Sequence, residues 1–192
     1  MRICVFSGSS HGYSLEYQGA ATALGRLLAR NSIELVYGGA AVGLMGAVAD
    51  AVLAEGGRVT GVIPQALVDK EVAHLGLTDL RVVHSMHERK ALMANLSDGF
   101  IALPGGIGTF EELFEVWTWA QLGSHSKPCA LLNILGFYDR LLEFLDQVVE
   151  QGFLKAVHRQ MLLVEEDAAP LLRAIRQYHA PAETKWIRPT ET

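Results

Sequence analysis

Short continuous apolar runs alternate along the chain with longer stretches in which apolar residues recur every three or four positions. The runs at 3–6, 34–37, 59–63, 80–83, 100–103, 129–132 and 161–164 are rich in Val, Ile and Leu and have strand length. The intervening stretches carry the period of amphipathic helices. A strand that is apolar at every position is covered on both faces, which is the condition of a parallel sheet sandwiched between helices. The pattern therefore predicts an α/β fold, a Rossmann-like doubly wound parallel sheet, as a single domain over residues 1–179. Residues 180–192, with Pro181 and Pro189 among polar neighbours, read as an irregular tail.

In such sheets ligands sit in the crevice beyond the carboxyl ends of the strands. Three segments in that position are rich in glycine or small residues: Ser7-Gly8-Ser9-Ser10, Gly38-Gly39-Ala40-Ala41-Val42-Gly43-Leu44-Met45-Gly46, and Pro104-Gly105-Gly106-Ile107-Gly108-Thr109. None fits a familiar nucleotide motif. The first loop holds one glycine where a dinucleotide fingerprint needs three, and the second strand ends in Tyr37-Gly38 without an acidic residue. Gly38 and Gly43 have Walker A separation, but Leu44-Met45 stands where Lys and Ser or Thr belong. Each loop alone could be only a strand-to-helix turn. Three along one crevice favour a phosphate-bearing ligand, because glycine admits close approach to the backbone and a helix N-terminus presents unpaired N–H groups.

Composition narrows the partners. The 192 residues are 50% hydrophobic and 19% charged, with a formal net charge of −5 and dispersed Lys and Arg, which argues against nucleic acid. Cys4 and Cys129 each lie in an apolar run, which suits buried thiols in a reducing compartment. The apolar start is too short for a secretory leader and no run reaches membrane-spanning length, so the expectation is a cytoplasmic protein that does not engage a membrane.

Two charged residues stand out. Thr109-Phe110-Glu111-Glu112 fits a capping box, with Thr109 as N-cap of a helix whose apolar pattern begins at Phe110 and Glu112 reaching back to it. Capping would accept Gln at 112, whereas general-base chemistry or stabilisation of an oxocarbenium ion requires a carboxylate. Ser85 and Glu88 fit a second capping box, which puts Arg89 early in a helix, where a cation opposes the macrodipole. Arg89 shares its face with Leu92, Met93 and Leu96 at positions i, i+3, i+4 and i+7, so its guanidinium turns inward. An inward Arg at the carboxyl edge of a sheet suits an anionic ligand better than a structural ion pair. Further along, Phe110, Leu113, Phe114, Val116, Trp117 and Trp119 make an apolar surface broad enough for a partner subunit or for an ordinary core helix. His84 and His87 lack the companions of a metal motif, and no metal is expected.

With Met86-His87-Glu88-Arg89-Lys90 and Pro104-Gly105-Gly106-Ile107-Gly108-Thr109-Phe110-Glu111-Glu112 in view, the chain resembles the LOG family. These are cytokinin riboside 5'-monophosphate phosphoribohydrolases, often catalogued as possible lysine decarboxylases. The likeness runs through nearly the whole chain, including Trp119-Ala120-Gln121-Leu122-Gly123. It implies a nucleotide-binding catalytic domain that hydrolyses the N-glycosidic bond of a nucleoside 5'-monophosphate to free base and ribose 5-phosphate.

By the same resemblance Arg89 and Glu112 are catalytic and Gly105, Gly106, Ile107, Gly108, Thr109, Phe110 and Glu111 cradle phosphate and ribose, with Lys90, Glu71 and Thr118 also at the substrate. A homodimer with a small nucleotide substrate and no cofactor is implied. Ile107 stands where many plant members have Tyr, which bears on base preference. Decarboxylation finds no support, since no lysine lies in a recognisable pyridoxal-phosphate context. The rival reading is a protein that binds or senses a nucleotide without cleaving it.

Overall fold

The structure, a computed structural model, describes residues 1–70 and 72–182. Elements alternate along the chain: β1 (Arg2–Phe6), α1 (Leu15–Arg30), β2 (Glu34–Tyr37), α2 (Gly43–Ala54), β3 (Val59–Pro64), the single turn α3 (Gln65–Val68), β4 (Asp79–Val83) and α4 (Met86–Leu96). The second half continues with β5 (Gly99–Ala102), α5 (Ile107–Leu122), β6 (Cys129–Leu132), α6 (Asp139–Glu150), the short α7 (Ala156–Arg159), β7 (Leu162–Glu165) and α8 (Ala168–Gln177). All seven strands anticipated from the apolar runs are present, with ends displaced by a residue at five of them. Strand ends are set by where ladder hydrogen bonds begin and stop, and an apolar run does not encode this.

The sheet is wholly parallel, in the order β4-β3-β2-β1-β5-β6-β7. The doubly wound expectation holds. The apolar strands explain the layering: alternate residues feed two cores, Ile3, Val5, Leu35, Tyr37 and Ile101 on one face and Cys4, Phe6, Val36, Phe100 and Ala102 on the other. Helices α1, α2 and α8 cover the first face, while α4 and α5 cover the second.

Chain direction across the sheet reverses between β1 and β5, so the loops leaving their carboxyl ends part and open a crevice. Backbone hydrogen bonds fix that crevice. Leu103 N–H donates to Phe6 O at 2.9 Å, Gly8 N–H to Pro104 O at 3.1 Å and Leu44 N–H to Gly8 O at 3.0 Å, which ties all three glycine-bearing loops together. Among the described residues α8 is the last regular element, ending at Gln177, and most of the anticipated tail, 183–192, lies outside them.

Candidate active site

The loops enclose a cleft of about 490 Å³ whose wall includes Ser7, Gly38, Met86, Arg89, Thr109 and Glu112. Its floor is a buried ion pair. Arg89 Nη1 lies 2.6 Å from Glu112 Oε1, Arg89 Nε donates to Val62 O at 3.1 Å, and Nη1 also approaches Met86 Sδ at 3.5 Å. The two residues are 8% and 9% exposed.

Local sequence accounts for the position of Arg89. Ser85 caps α4 by accepting from Glu88 N–H at 3.1 Å, so Arg89 emerges within the first turn and points at the crevice. Glu88 reaches one residue further than a regular capping box, accepting from His84 N–H at 2.8 Å. The inward placement inferred from the i, i+3, i+4, i+7 spacing is what the fold shows: Arg89 and Met93 are both buried.

The cap assigned to Thr109 is a correction. Helix α5 starts at Ile107 with Gly106 as N-cap, and no side chain caps it. The apolar pattern begins at Phe110, but Gly106 has an extended backbone and lets the helix start earlier through residues that have no apolar partner to find. Thr109 thus lies within the first turn, buried against Gly105, where an added Cβ would come 2.1 Å from Thr109 Oγ1. Glu112 lies one turn further along and pairs with Arg89 instead of closing a capping box. The N–H groups of Ile107, Gly108 and Thr109 have no acceptor within the helix, and Gly106, Ile107 and Gly108 are exposed at the cleft.

The anticipated site residues separate into groups. Arg89, Gly106, Ile107, Gly108, Thr109 and Glu112 line the cleft. Gly105 lines an adjoining cavity of about 250 Å³, which shares Gly8, Ser9 and Gly106 with the cleft and is also lined by Tyr17 and Phe137. Phe110 packs edge-on against Tyr138, with ring centroids 6.1 Å apart. Lys90 is engaged by Glu111 and by Glu115, the latter at 3.0 Å, and neither Lys90 nor Glu111 is on the cleft wall. Thr118 is exposed on α5 away from the cleft wall, and Glu71 lies outside the described residues.

The sequence marks Gly38 as a member of a crevice loop but does not link it to Arg89. In the fold its Cα faces the guanidinium, and an added Cβ would meet Arg89 Nη2 at 1.9 Å. Ser7 also belongs to the wall, with a buried Oγ that has no hydrogen-bond partner among the described residues. The Gly-Ser loop signalled the segment, but nothing in the sequence singled out this hydroxyl.

Burial raises the Glu112 carboxyl above the usual glutamate range, against the opposing pull of Arg89 through charge and hydrogen bond. Glu111 adds to the rise and Lys90 opposes it. A carboxylate held this way is a better proton acceptor than a free glutamate, beside an arginine suited to anionic oxygens.

Comparison with known proteins accords with this geometry. Residues 45–175 match the family described as "Possible lysine decarboxylase". A cytokinin riboside 5'-monophosphate phosphoribohydrolase of Arabidopsis thaliana is 49% identical over 187 residues, covering 96% of this chain and 87% of its own. One from Rhodococcoides fascians is 50% identical over 175 residues, covering 91% and 88%. A molybdenum cofactor carrier protein from Chlamydomonas reinhardtii superimposes with a TM-score of 0.70 over 92% of this chain and 96% of its own, at 21% identity, which speaks to the fold alone. With the P-G-G-x-G-T-x-x-E loop at the sheet's reversal point and Arg89 on its glutamate, the chain belongs to the LOG family of cytokinin riboside 5'-monophosphate phosphoribohydrolases, catalogued as possible lysine decarboxylases.

Proposed function

We propose that the chain hydrolyses the N-glycosidic bond of nucleoside 5'-monophosphates, cytokinin riboside 5'-monophosphate and AMP, to free base and ribose 5-phosphate. The observation that carries this reading is the buried Arg89–Glu112 pair on the floor of the cleft whose rim is the uncapped start of α5. The 5'-phosphate fits the N–H groups of Ile107, Gly108 and Thr109, which have no acceptor within the helix and where the helix dipole favours an anion. The unpartnered Ser7 hydroxyl supplies a further polar contact along the same wall.

In the reaction the C1'–N bond breaks with its electron pair leaving on the base, and positive charge develops on the ribose. The Glu112 carboxylate stabilises that charge and takes a proton from the water whose oxygen bonds to C1'. The proton completes the departing base. Arg89 favours the ionised form of Glu112 against its burial and orients it. A site that only bound nucleotide would gain nothing from a carboxylate near an anionic ligand.

The protein is proposed to act as a homodimer, since Phe114 and Trp119 on α5 stay partly exposed and Ile107 is 82% exposed at the cleft mouth. Buried free thiols at Cys4 and Cys129 support a cytoplasmic setting. No helix among the described residues is long and apolar enough to cross a membrane.

Incubating the pure protein with AMP, other nucleoside monophosphates and N6-isopentenyl-AMP, followed by chromatography, tests the reaction. Free base together with ribose 5-phosphate is the expected result. No free base from any of them would overturn it.

A further inference from the structure

Two adjacent residues on α4 face two adjacent residues on α5, and they pair in register. Arg89 meets Glu112 inside the cleft floor, while Lys90 meets Glu111 and also Glu115, one turn further along, at 3.0 Å. Consecutive residues on a helix diverge by roughly 100°, so each helix presents one group to the cleft and one to its neighbour. The Lys90 side chain is only 9% exposed and its ammonium is held on two sides by carboxylates. It does not line the cleft.

We propose that Lys90, Glu111 and Glu115 form a clasp between α4 and α5 that fixes the spacing at which Arg89 meets Glu112, making Lys90 a positioning residue and not a substrate contact. The consequence for catalysis rests on the phosphoribohydrolase reading above. The clasp joins the same helix pair beside the Arg89–Glu112 contact, and the helices are held at their spacing by a compact cation matched to two acceptors. Since a misplacement of about 1 Å at a reacting pair can cost about 100-fold in rate, partial loosening predicts a loss in kcat and not in binding.

The test compares Lys90→Met with the double variant Glu111→Gln/Glu115→Gln, using N6-isopentenyl-AMP and AMP as substrates. Both variants are expected to lose about tenfold in kcat with KM held within about twofold, and combining them is expected to add nothing to Lys90→Met alone. A raised KM at unchanged kcat in Lys90→Met, with the double variant behaving as wild type, would make Lys90 a substrate contact and overturn the clasp.

A second readout needs no turnover. Carbon NMR of labelled glutamate follows the Glu112 titration in the ligand-free chain. Removing the Glu111 charge by itself lowers the Glu112 pKa, whereas drawing Arg89 away raises it. An upward move in Glu111→Gln/Glu115→Gln supports the clasp; a fall or no change overturns it. Should wild type release no base, the hydrolase reading fails while this titration still decides the clasp.

Discussion

Arg89 and Glu112 meet at 2.6 Å with barely a tenth of either side chain exposed, so each is the other's chief compensation for leaving water. Removing one partner strands a buried charge. Arg89→Met is therefore expected to destabilise the fold by about 3–5 kcal/mol, read as a lowered urea midpoint at neutral pH. Glu112→Gln keeps the size and a hydrogen-bond acceptor but not the charge, and is expected to lower kcat by about 100-fold or more with a smaller change in KM. Full activity in that variant would remove Glu112 from the chemistry.

The pH profile follows from the same burial. In the proposed mechanism Glu112 acts in its ionised form, and its carboxyl is raised above the ordinary value of 4.5. The acid limb of kcat is expected at a higher pH than a free glutamate would give, measured with a saturating nucleotide. Stability runs the other way. A folded-state pKa above the unfolded one gives a contribution fully present below the unfolded value and lost as pH rises through the folded value. The ionised, working form of Glu112 is thus the less stable one, and Glu112→Gln is expected to abolish this part of the pH dependence.

Much of this arrangement is legible in the chain before folding. Continuous apolar runs specify the parallel sheet, and the Leu92, Met93, Leu96 face turns Arg89 inward. The start of α5 is not legible in the same way, because Thr109 and Glu112 mimic a capping box while the helix begins at Ile107. Local capping patterns describe hydrogen bonds available within four residues; the competing contacts here, Arg89 for Glu112 and Gly105 for Thr109, come from other segments. Gly38 fails to announce itself for the same reason, since the atom it makes room for arrives from α4. The family resemblance places Lys90 at the substrate, and only the fold shows two glutamates around it.

Gly38→Ala tests that close approach directly. A Cβ at 1.9 Å from Arg89 Nη2 and 2.5 Å from Met45 Cε cannot be accommodated without moving the guanidinium. The expected result is a drop in kcat/KM of about 100-fold with a folded, cooperative melt. Wild-type kinetics in Gly38→Ala would show that the guanidinium position is not critical.

In the proposed reading the uncapped start of α5 receives the 5'-phosphate, which makes that group a source of binding energy. Adenosine, lacking that group, is expected to react poorly beside AMP, and inorganic phosphate is expected to compete with AMP for the free protein. Gly105→Ala, which forces a Cβ onto Thr109 Oγ1 and to within 2.9 Å of Gly8 N, is expected to weaken the AMP reaction far more than the residual adenosine reaction. Equal losses on both substrates would place the phosphate elsewhere.

A final expectation concerns His125, in the loop that follows α5. Its ring lies 5.5 Å from that of Phe100, and its Nδ1 accepts the Lys127 N–H at 3.1 Å. Burial, then the Lys127 charge, pushes its pKa down to about 4 from an ordinary 6.5. Here the folded value is the lower one, so the unfolded chain takes up the proton first as pH falls. Stability present above the ordinary value is lost progressively between 6.5 and about 4. His125→Gln retains an acceptor for the Lys127 N–H but cannot titrate, so the difference between its urea midpoint and that of wild type should shift in the variant's favour across this window. Glu112 is common to both proteins and its opposite trend cancels in the difference; a constant difference from about pH 7.5 to about pH 4.5 would show that His125 takes no part in acid sensitivity.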